Sequence, residues 1–352
     1  MKTTVFLSAL IGSAAAHPGM GVAMEEIKHM VMKRQFQPST AMIGDLITLP
    51  NNALSTTGAA IKAILQGTGN PIDTTTFYTA PAGGRDAPAC RQDRCCIWEY
   101  IANDMRAAFF NSATNECTNL ARGAIRLGFH DAAAWSINHG NGGADGSIIL
   151  SGTEMSRPEN TAMVPIANQM TTWFNTYRNY GISMADLIQL GAKIGAGSCP
   201  GGPRIRFFIG RTDNPNPAPT GLLPPPTFTA QQLIDNFGNK TIGPGGLVAL
   251  LAAHTASRQQ SSGLPQDTTP GKWDQKYFAD TVDPSVPGLV RFPSDINVAN
   301  GAVTAPIWNQ FRNNKAAWDR AYAAEYIRMS LLGFASINGM FECTKVMPSV
   351  LV

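Results

Sequence analysis

The sequence predicts an all-α domain, and three observations predict it. Apolar residues recur at helical spacing through most of the chain beyond Cys90. Two segments open with the side chains that cap helix starts, Ser183 with Asp186 and Thr229 with Gln232. No stretch of any length alternates apolar with polar residues as a half-buried strand would, and no internal repeat divides the chain.

Taken in order, Ile97, Ile101, Met105 and Ala108 fall on one face of a first helix. Arg126 and His130 stand four residues apart with Phe129 between them, which places the cation and the imidazole on one face of the next. The helix opened by Ser183 carries Leu187, Leu190 and Ile194, and the shorter one opened by Thr229 stops at Gly238. Residues 246–258 put Leu247, Leu250, Leu251 and His254 on one face, and residues 308–334 form a long final helix or a helix pair. Pro-rich loops, such as residues 214–226, join these elements.

A chain of 352 residues can bury one large core or two small ones. Charged residues are 14% and the net charge is +3, with no basic block, so nucleic-acid binding has no support. Residues 1–16 combine Lys2, an apolar run over 5–11 and Ala14-Ala15-Ala16, the pattern of a secretory signal peptide cleaved before His17. That run is too short to span a bilayer and no other is long enough, so the protein is expected to be secreted, extracellular and free of membrane. Residues 17–86 are rich in Thr, Gly and Pro and contain the dibasic pair Lys33-Arg34. They read as a pro-segment or an N-terminal extension ahead of a functional domain over 87–352, although a surface basic pair explains Lys33-Arg34 equally well. Six cysteines in an exported chain imply three disulfides, for which fifteen pairings exist. A zinc site is the competing reading, but no Cys/His quartet has zinc-like spacing. The vicinal Cys95 and Cys96 are not expected to pair with each other.

The chemistry concentrates in residues 121–150. Arg126 and His130 are followed directly by Asp131, and a glycine loop then delivers Asp145 and Ser147. A base, a fixed cation and a set of hard oxygen ligands in thirty residues suit few reactions. Splitting a peroxide over a haem iron is one of them. An isolated Arg-x-x-x-His is more often a helix with a satisfied core histidine. Of the five histidines, His17 and His29 precede the domain, and His139 sits in a glycine loop as a surface residue would. His254, at the end of the apolar helix LVALLAAHTASR, is the remaining candidate for an iron ligand.

With these motifs in this order, residues 90–348 resemble the fungal class II secreted haem peroxidases of the plant–fungal peroxidase superfamily, the group that includes manganese and lignin peroxidases. The resemblance implies a haem b held between two helical halves, a monomer, and hydrogen peroxide as oxidant. It implies His130 as the base that moves the peroxide proton, Arg126 as the stabiliser of developing negative charge, and Phe129 as a pocket wall. Asn160 would fix the tautomer of His130, with Glu154 in its support network. His254 would be the axial ligand, its other ring nitrogen donating to Asp295. Two Ca²⁺ sites follow from the same resemblance. One comprises Asp131, Gly143 through its carbonyl, Asp145 and Ser147; the other comprises Thr255, Asp267, Thr269, Lys272 through its carbonyl, and Asp274. The implied disulfides are Cys90–Cys96, Cys95–Cys343 and Cys117–Cys199. One further bridge of typical members has no cysteines here, and the usual long tail after the last cysteine is missing.

The chain departs from the specialised members. The positions matching the three Mn²⁺-binding carboxylates are Asn119, Gly123 and Gln260, none acidic. The position of the exposed tryptophan of lignin and versatile peroxidases is Ala249, and the aromatic residue often found before the second calcium cluster is Gln266. Trp135 is an alternative surface relay or simply a packed aromatic. Oxidation of small phenolic or aromatic reductants at the exposed haem edge, by one-electron steps as in generic low-potential peroxidases, is therefore expected. Two rival readings are a secreted haem- or calcium-binding protein with little turnover, and Mn²⁺ oxidation through a different acidic cluster. Asn239-Lys240-Thr241 is the sole N-glycosylation sequon.

Overall fold

The computed structural model describes residues 39–352. The expected signal peptide, His17, His29 and the Lys33-Arg34 pair lie outside the described residues. Helix α1 (Thr56–Leu65) is capped by the Ser55 hydroxyl, which accepts from the amide of Gly58. The short α2 (Pro88–Gln92) leads to α3 (Cys96–Phe109), which buries the expected face of Ile97, Ile101 and Met105. Helix α4 (Asn119–Ala133) starts at the Thr118 hydroxyl, and the short α5 (Ser147–Leu150) and α6 (Val164–Tyr177) follow. Helix α7 (Met184–Ser198) starts where the Ser183 hydroxyl accepts from Asp186, and all fifteen of its residues are buried.

The second half contains α8 (Ala230–Gly238), opened by a reciprocal capping box between Thr229 and Gln232. Helix α9 (Pro244–Leu251) runs into a 3₁₀ turn over Ala252–Ala256, so the expected regular helix tightens just before His254. Then come α10 (Lys276–Asp280), α11 (Pro293–Asn300), α12 (Ala305–Asn313) and α13 (Lys315–Met329). The final segment is thus a pair. Asn314 breaks it, leaving helical backbone at φ −144° and ψ 89° while its side chain accepts from Ala317.

Helix α7 is the centre of the first half, with α3 and α4 against it, while in the second half α9 packs on α13. Small residues allow α4 to approach α7 closely. A side chain at Gly195 would meet the Ala121 carbonyl at 2.8 Å, and one at Gly128 would collide with Ala192 and the Tyr326 hydroxyl. Two tiny antiparallel ladders complete the fold: β1 (Phe110–Asn111) with β2 (Glu116–Cys117), and β3 (Phe208–Ile209) with β4 (Phe341–Glu342). A two-residue strand has no alternation to read, so these were invisible to periodicity. The disulfides join Cys90–Cys96, Cys95–Cys343 and Cys117–Cys199, the same three pairs the resemblance implies. The third links the residue preceding the Thr118 cap of α4 to the end of α7.

The described part of the segment read as a pro-segment or N-terminal extension packs against the rest of the chain. Leu46, Ile61, Ile64 and Leu65 are in the core, and Asp45 donates its amide to the Ala335 carbonyl at 2.8 Å. The buried Arg328 guanidinium donates to the carbonyls of Ala41 (2.7 Å), Leu65 (2.9 Å) and Ser39. Residues 39–86 are therefore packed into the domain. Their Thr, Gly and Pro content belongs to the loops around one short amphipathic helix, which composition averaged away. A chain begun at residue 87 should lack the cooperative unfolding of one begun before residue 39. Ile61→Ala should cost about 2–5 kcal/mol, read as a lowered guanidinium midpoint at unchanged slope.

Candidate active site

Helix α4 carries Arg126, Phe129 and His130 in one turn. The Arg126 Nε lies 3.4 Å from His130 Nε2, and its Nη2 donates to the Glu159 carbonyl at 2.9 Å, which pins the guanidinium beside the imidazole. Asn160 sits 2.8 Å from His130 Nδ1 through Oδ1, and its Nδ2 donates to the Glu154 carbonyl at 2.9 Å. Because the amide nitrogen is committed to that carbonyl, Oδ1 must accept from His130, which places the proton on Nδ1 and the lone pair on Nε2. Burial and the neighbouring Arg126 charge push His130 down from 6.5 to about 3, with the Asn160 hydrogen bond opposing them, so the free base dominates at neutral pH. Phe129 lies edge-on to His130 at 5.8 Å and stacks on Phe237 of α8 at 6.1 Å.

Glu154 supports Asn160 through its main chain. Its backbone carbonyl receives the amide, while its buried carboxylate accepts from the Ala218 amide at 2.9 Å and pairs with Arg157 at 3.2 Å. The acid thus clamps the Pro-rich loop, and the main chain does the orienting.

On the other side, the 3₁₀ turn after α9 projects His254. Its Nδ1 is 2.9 Å from Asp295 Oδ2 at the first turn of α11, and Asp295 is buried whereas a third of the His254 side chain is exposed. His254 Nε2 makes no hydrogen bond to any described residue. The ring is held edge-on by Tyr277 and Phe292, each at 5.9 Å. Gln266 joins this cluster, donating from Nε2 to the same Asp295 oxygen at 3.0 Å, and Ser294 donates to the other oxygen at 3.0 Å. A histidine with one nitrogen tied to a carboxylate and the other free and accessible is the donor a haem iron requires. The residues fit the group.

The acidic sets lie directly after each histidine. Asp131 is buried and driven well above the usual carboxylate range by burial, with Asp145 adding repulsion; the buried Ser147 hydroxyl has no partner. The Gly143 backbone, at φ +115°, is packed against the Leu332 carbonyl, a conformation and a proximity that need glycine. In the second set, Thr255 donates to Asp267 at 2.6 Å and to the Asp274 carbonyl at 3.2 Å. Thr269 donates to the Asp274 carboxylate at 2.8 Å, and the Lys272 amide donates to the Thr269 carbonyl at 2.9 Å. Burial pushes Asp267 up to about 7. Among the described residues no three His, Cys, Asp or Glu side chains converge on one point; each set has two carboxylates, supplemented by hydroxyls and carbonyls. In the first set, the buried Asp131 carboxylate beside the unpartnered Ser147 hydroxyl suits a hard cation.

Around the positions expected to lack a manganese site, Arg122 stands out, and sequence reasoning passed it over. It donates to the Asn119 side chain and to the carbonyls of Cys117 (2.7 Å) and Pro270 (3.2 Å). Ala249 is buried, its carbonyl accepting from Trp318 at 3.1 Å, and Trp135 is half-buried against the core, as a packed aromatic would be. His139 is exposed.

Comparison with known proteins agrees with this arrangement. A peroxidase family profile matches residues 101–314. The chain is 30% identical over 303 residues to a peroxidase of Arthromyces ramosus, covering 76% of this chain and 82% of the relative. It is 30% identical over 299 residues to a peroxidase of Coprinopsis cinerea, covering 77% and 80% respectively. With ligninase C of Trametes versicolor it shares 32% identity over 285 residues, covering 72% and 75%. The imidazole pairs therefore stand in a chain that belongs to the peroxidase family, among the fungal class II haem peroxidases that reduce hydrogen peroxide.

Proposed function

We propose that His130 and Arg126 cleave hydrogen peroxide, that His254 holds the iron, and that the electrons come from small phenolic or aromatic donors at the haem edge. A bound haem supplies the two electrons that break the O–O bond and is restored by two one-electron donors. His130 Nε2 takes a proton from one peroxide oxygen and returns it to the other, which leaves as water. Arg126, fixed by Glu159, stabilises the negative charge that grows on the departing oxygen. Asn160 keeps the lone pair on Nε2 throughout. Asp295 draws on the His254 Nδ1 proton, making the ring a stronger donor. The carrying observation is the pairing of both histidines through Nδ1, to Asn160 at 2.8 Å and to Asp295 at 2.9 Å, which leaves the lone pair of each ring on Nε2, beside the Arg126 guanidinium in His130 and without a partner among the described residues in His254. A haem-binding protein with little turnover needs only the second pair, so the first favours the enzyme.

The proposal extends to two Ca²⁺ ions. The first would be held by Asp131, Gly143, Asp145 and Ser147, and the second by Thr255, Asp267, Thr269, Lys272 and Asp274. Each would brace the turn that carries a histidine. The donor class rests on Arg122, whose guanidinium occupies the surroundings of Asn119 and opposes Mn²⁺ there, and on the burial of Ala249. Export with removal of residues 1–16 fits the sequence pattern, and no helix among the described residues is long and apolar enough to cross a membrane. Asn239 is exposed, as a glycan acceptor must be.

Stopped-flow mixing with hydrogen peroxide tests the chemistry. His130→Leu should slow the peroxide reaction by about 10²–10⁴-fold with haem retained, and Arg126→Leu by about 10²–10³-fold. An unchanged rate in His130→Leu would overturn the assignment. Chelation of calcium should lower the thermal midpoint and added Ca²⁺ restore it, with the response weakened in Asp145→Asn; a chelator-insensitive midpoint would remove the calcium sites. Turnover should rise with a phenol and stay flat with Mn²⁺. Acceleration by Mn²⁺ would instead indicate a different acidic cluster.

A further inference from the structure

Gln266 stands where an aromatic residue is common in the resembling family, and its side chain has a definite task. It is buried, and its Nε2 donates at 3.0 Å to Asp295 Oδ2, the oxygen that also accepts His254 Nδ1 at 2.9 Å. The amide cannot be turned over. Asp295 is an acceptor and must face the NH₂ group, while the Ser257 hydroxyl donates to Gln266 Oε1 on the other side. Ser294 donates to Asp295 Oδ1 at 3.0 Å, and the buried Tyr277 hydroxyl lies near the same carboxylate, beside the His254 ring, without a well-formed hydrogen bond. Asp295 therefore divides its well-formed hydrogen bonds among His254, Gln266 and Ser294.

We infer that Gln266, oriented by Ser257, is a positioning residue that weakens the pull of Asp295 on His254 and so makes the bound iron a stronger oxidant. This rests on the reading of His254 as axial ligand. A carboxylate that accepts a second hydrogen bond on the same oxygen is a poorer acceptor for the first. Its hold on the Nδ1 proton then slackens, and the ring stays closer to a neutral imidazole. A neutral imidazole donates less to iron than one with imidazolate character, so the ferric state is stabilised less and reduction becomes easier. An apolar side chain at this position would leave the carboxylate without this competitor. The amide thus sets how strongly oxidising the site is towards a donor at its edge, without touching the donor.

Two variants test it in the haem-loaded protein. Gln266→Met keeps approximate size and removes the donor; Ser257→Ala keeps the amide and removes what orients it. Spectroelectrochemical titration of the ferric–ferrous couple and resonance Raman of the ferrous iron–histidine stretch are the readouts. Gln266→Met should lower the ferrous-to-ferric ratio at a fixed applied potential by about tenfold, the equivalent of one hydrogen bond to a charged group. It should also raise the iron–histidine stretching frequency. Ser257→Ala should move both in the same direction by less. A purely structural role would broaden or weaken the signals without that paired shift. Unmoved potential and frequency in both variants, in a protein that shows the iron–histidine band, would overturn the inference. Absence of that band in the unmodified protein would instead overturn the His254 assignment, and the inference with it.

Discussion

Each of two imidazoles has Nδ1 tied and its lone pair on Nε2, and the site is arranged around that constraint. A histidine left to itself tautomerises and titrates near neutrality. For His130, burial and the Arg126 charge hold the ring neutral, and Asn160 fixes the tautomer by facing it with an oxygen whose companion nitrogen is already committed to the Glu154 carbonyl. His254 is tied on the same ring nitrogen, but to a charge. The amide partner leaves a neutral base suited to moving protons, and the carboxylate partner makes a stronger metal donor. The contrast between the two partners is what separates the two proposed roles.

Holding these partners in register falls to packing. Asn160 and Glu154 lie on irregular chain, so their positions depend on α4 being fixed against α7. The glycines and alanines of the contact bring the helices close enough for backbone to meet side chain, and the Cys117–Cys199 link joins the start of one to the end of the other. On the opposite side the 3₁₀ tightening after α9 turns His254 towards Asp295. A buried carboxylate, Asp131, immediately follows His130, and Thr255, which follows His254, donates to the buried Asp267. Without a counter-charge the carboxylates of each set repel and remain poorly solvated, which makes the proposed calcium ions structural as much as compositional features of the site.

The surroundings of the site narrow what it would oxidise. Arg122 donates to the side chain of Asn119, and Ala249 is covered by the core, with its carbonyl engaged by Trp318. The proposed donor class rests on these two observations. The proposed direct oxidation at the haem edge then depends on how oxidising the iron is, and the hydrogen-bond load on Asp295 is the local quantity that bears on it.

The helices were legible in the sequence wherever apolar period and capping chemistry agreed, as at Ser183 and Thr229, because both signals are local. The residues of the two histidine sites were legible through short-range motifs joined to the family pattern. Three features were not. The contribution of residues 39–86 to the core was hidden, because one short helix among turns leaves no compositional mark. The backbone route from Glu154 to Asn160 was hidden, because any residue carries a carbonyl and only the chain path decides which one is near. The partners of Gln266 were hidden, since Ser257, Gln266 and Asp295 come from different segments and hydrogen-bond in a set that sequence spacing does not encode. By itself the sequence determined which side chains are present and which helices carry them. Only the tertiary structure decided that Nδ1 is the tied nitrogen of each histidine and what in turn holds Asn160 and Asp295, because those contacts are made across the fold.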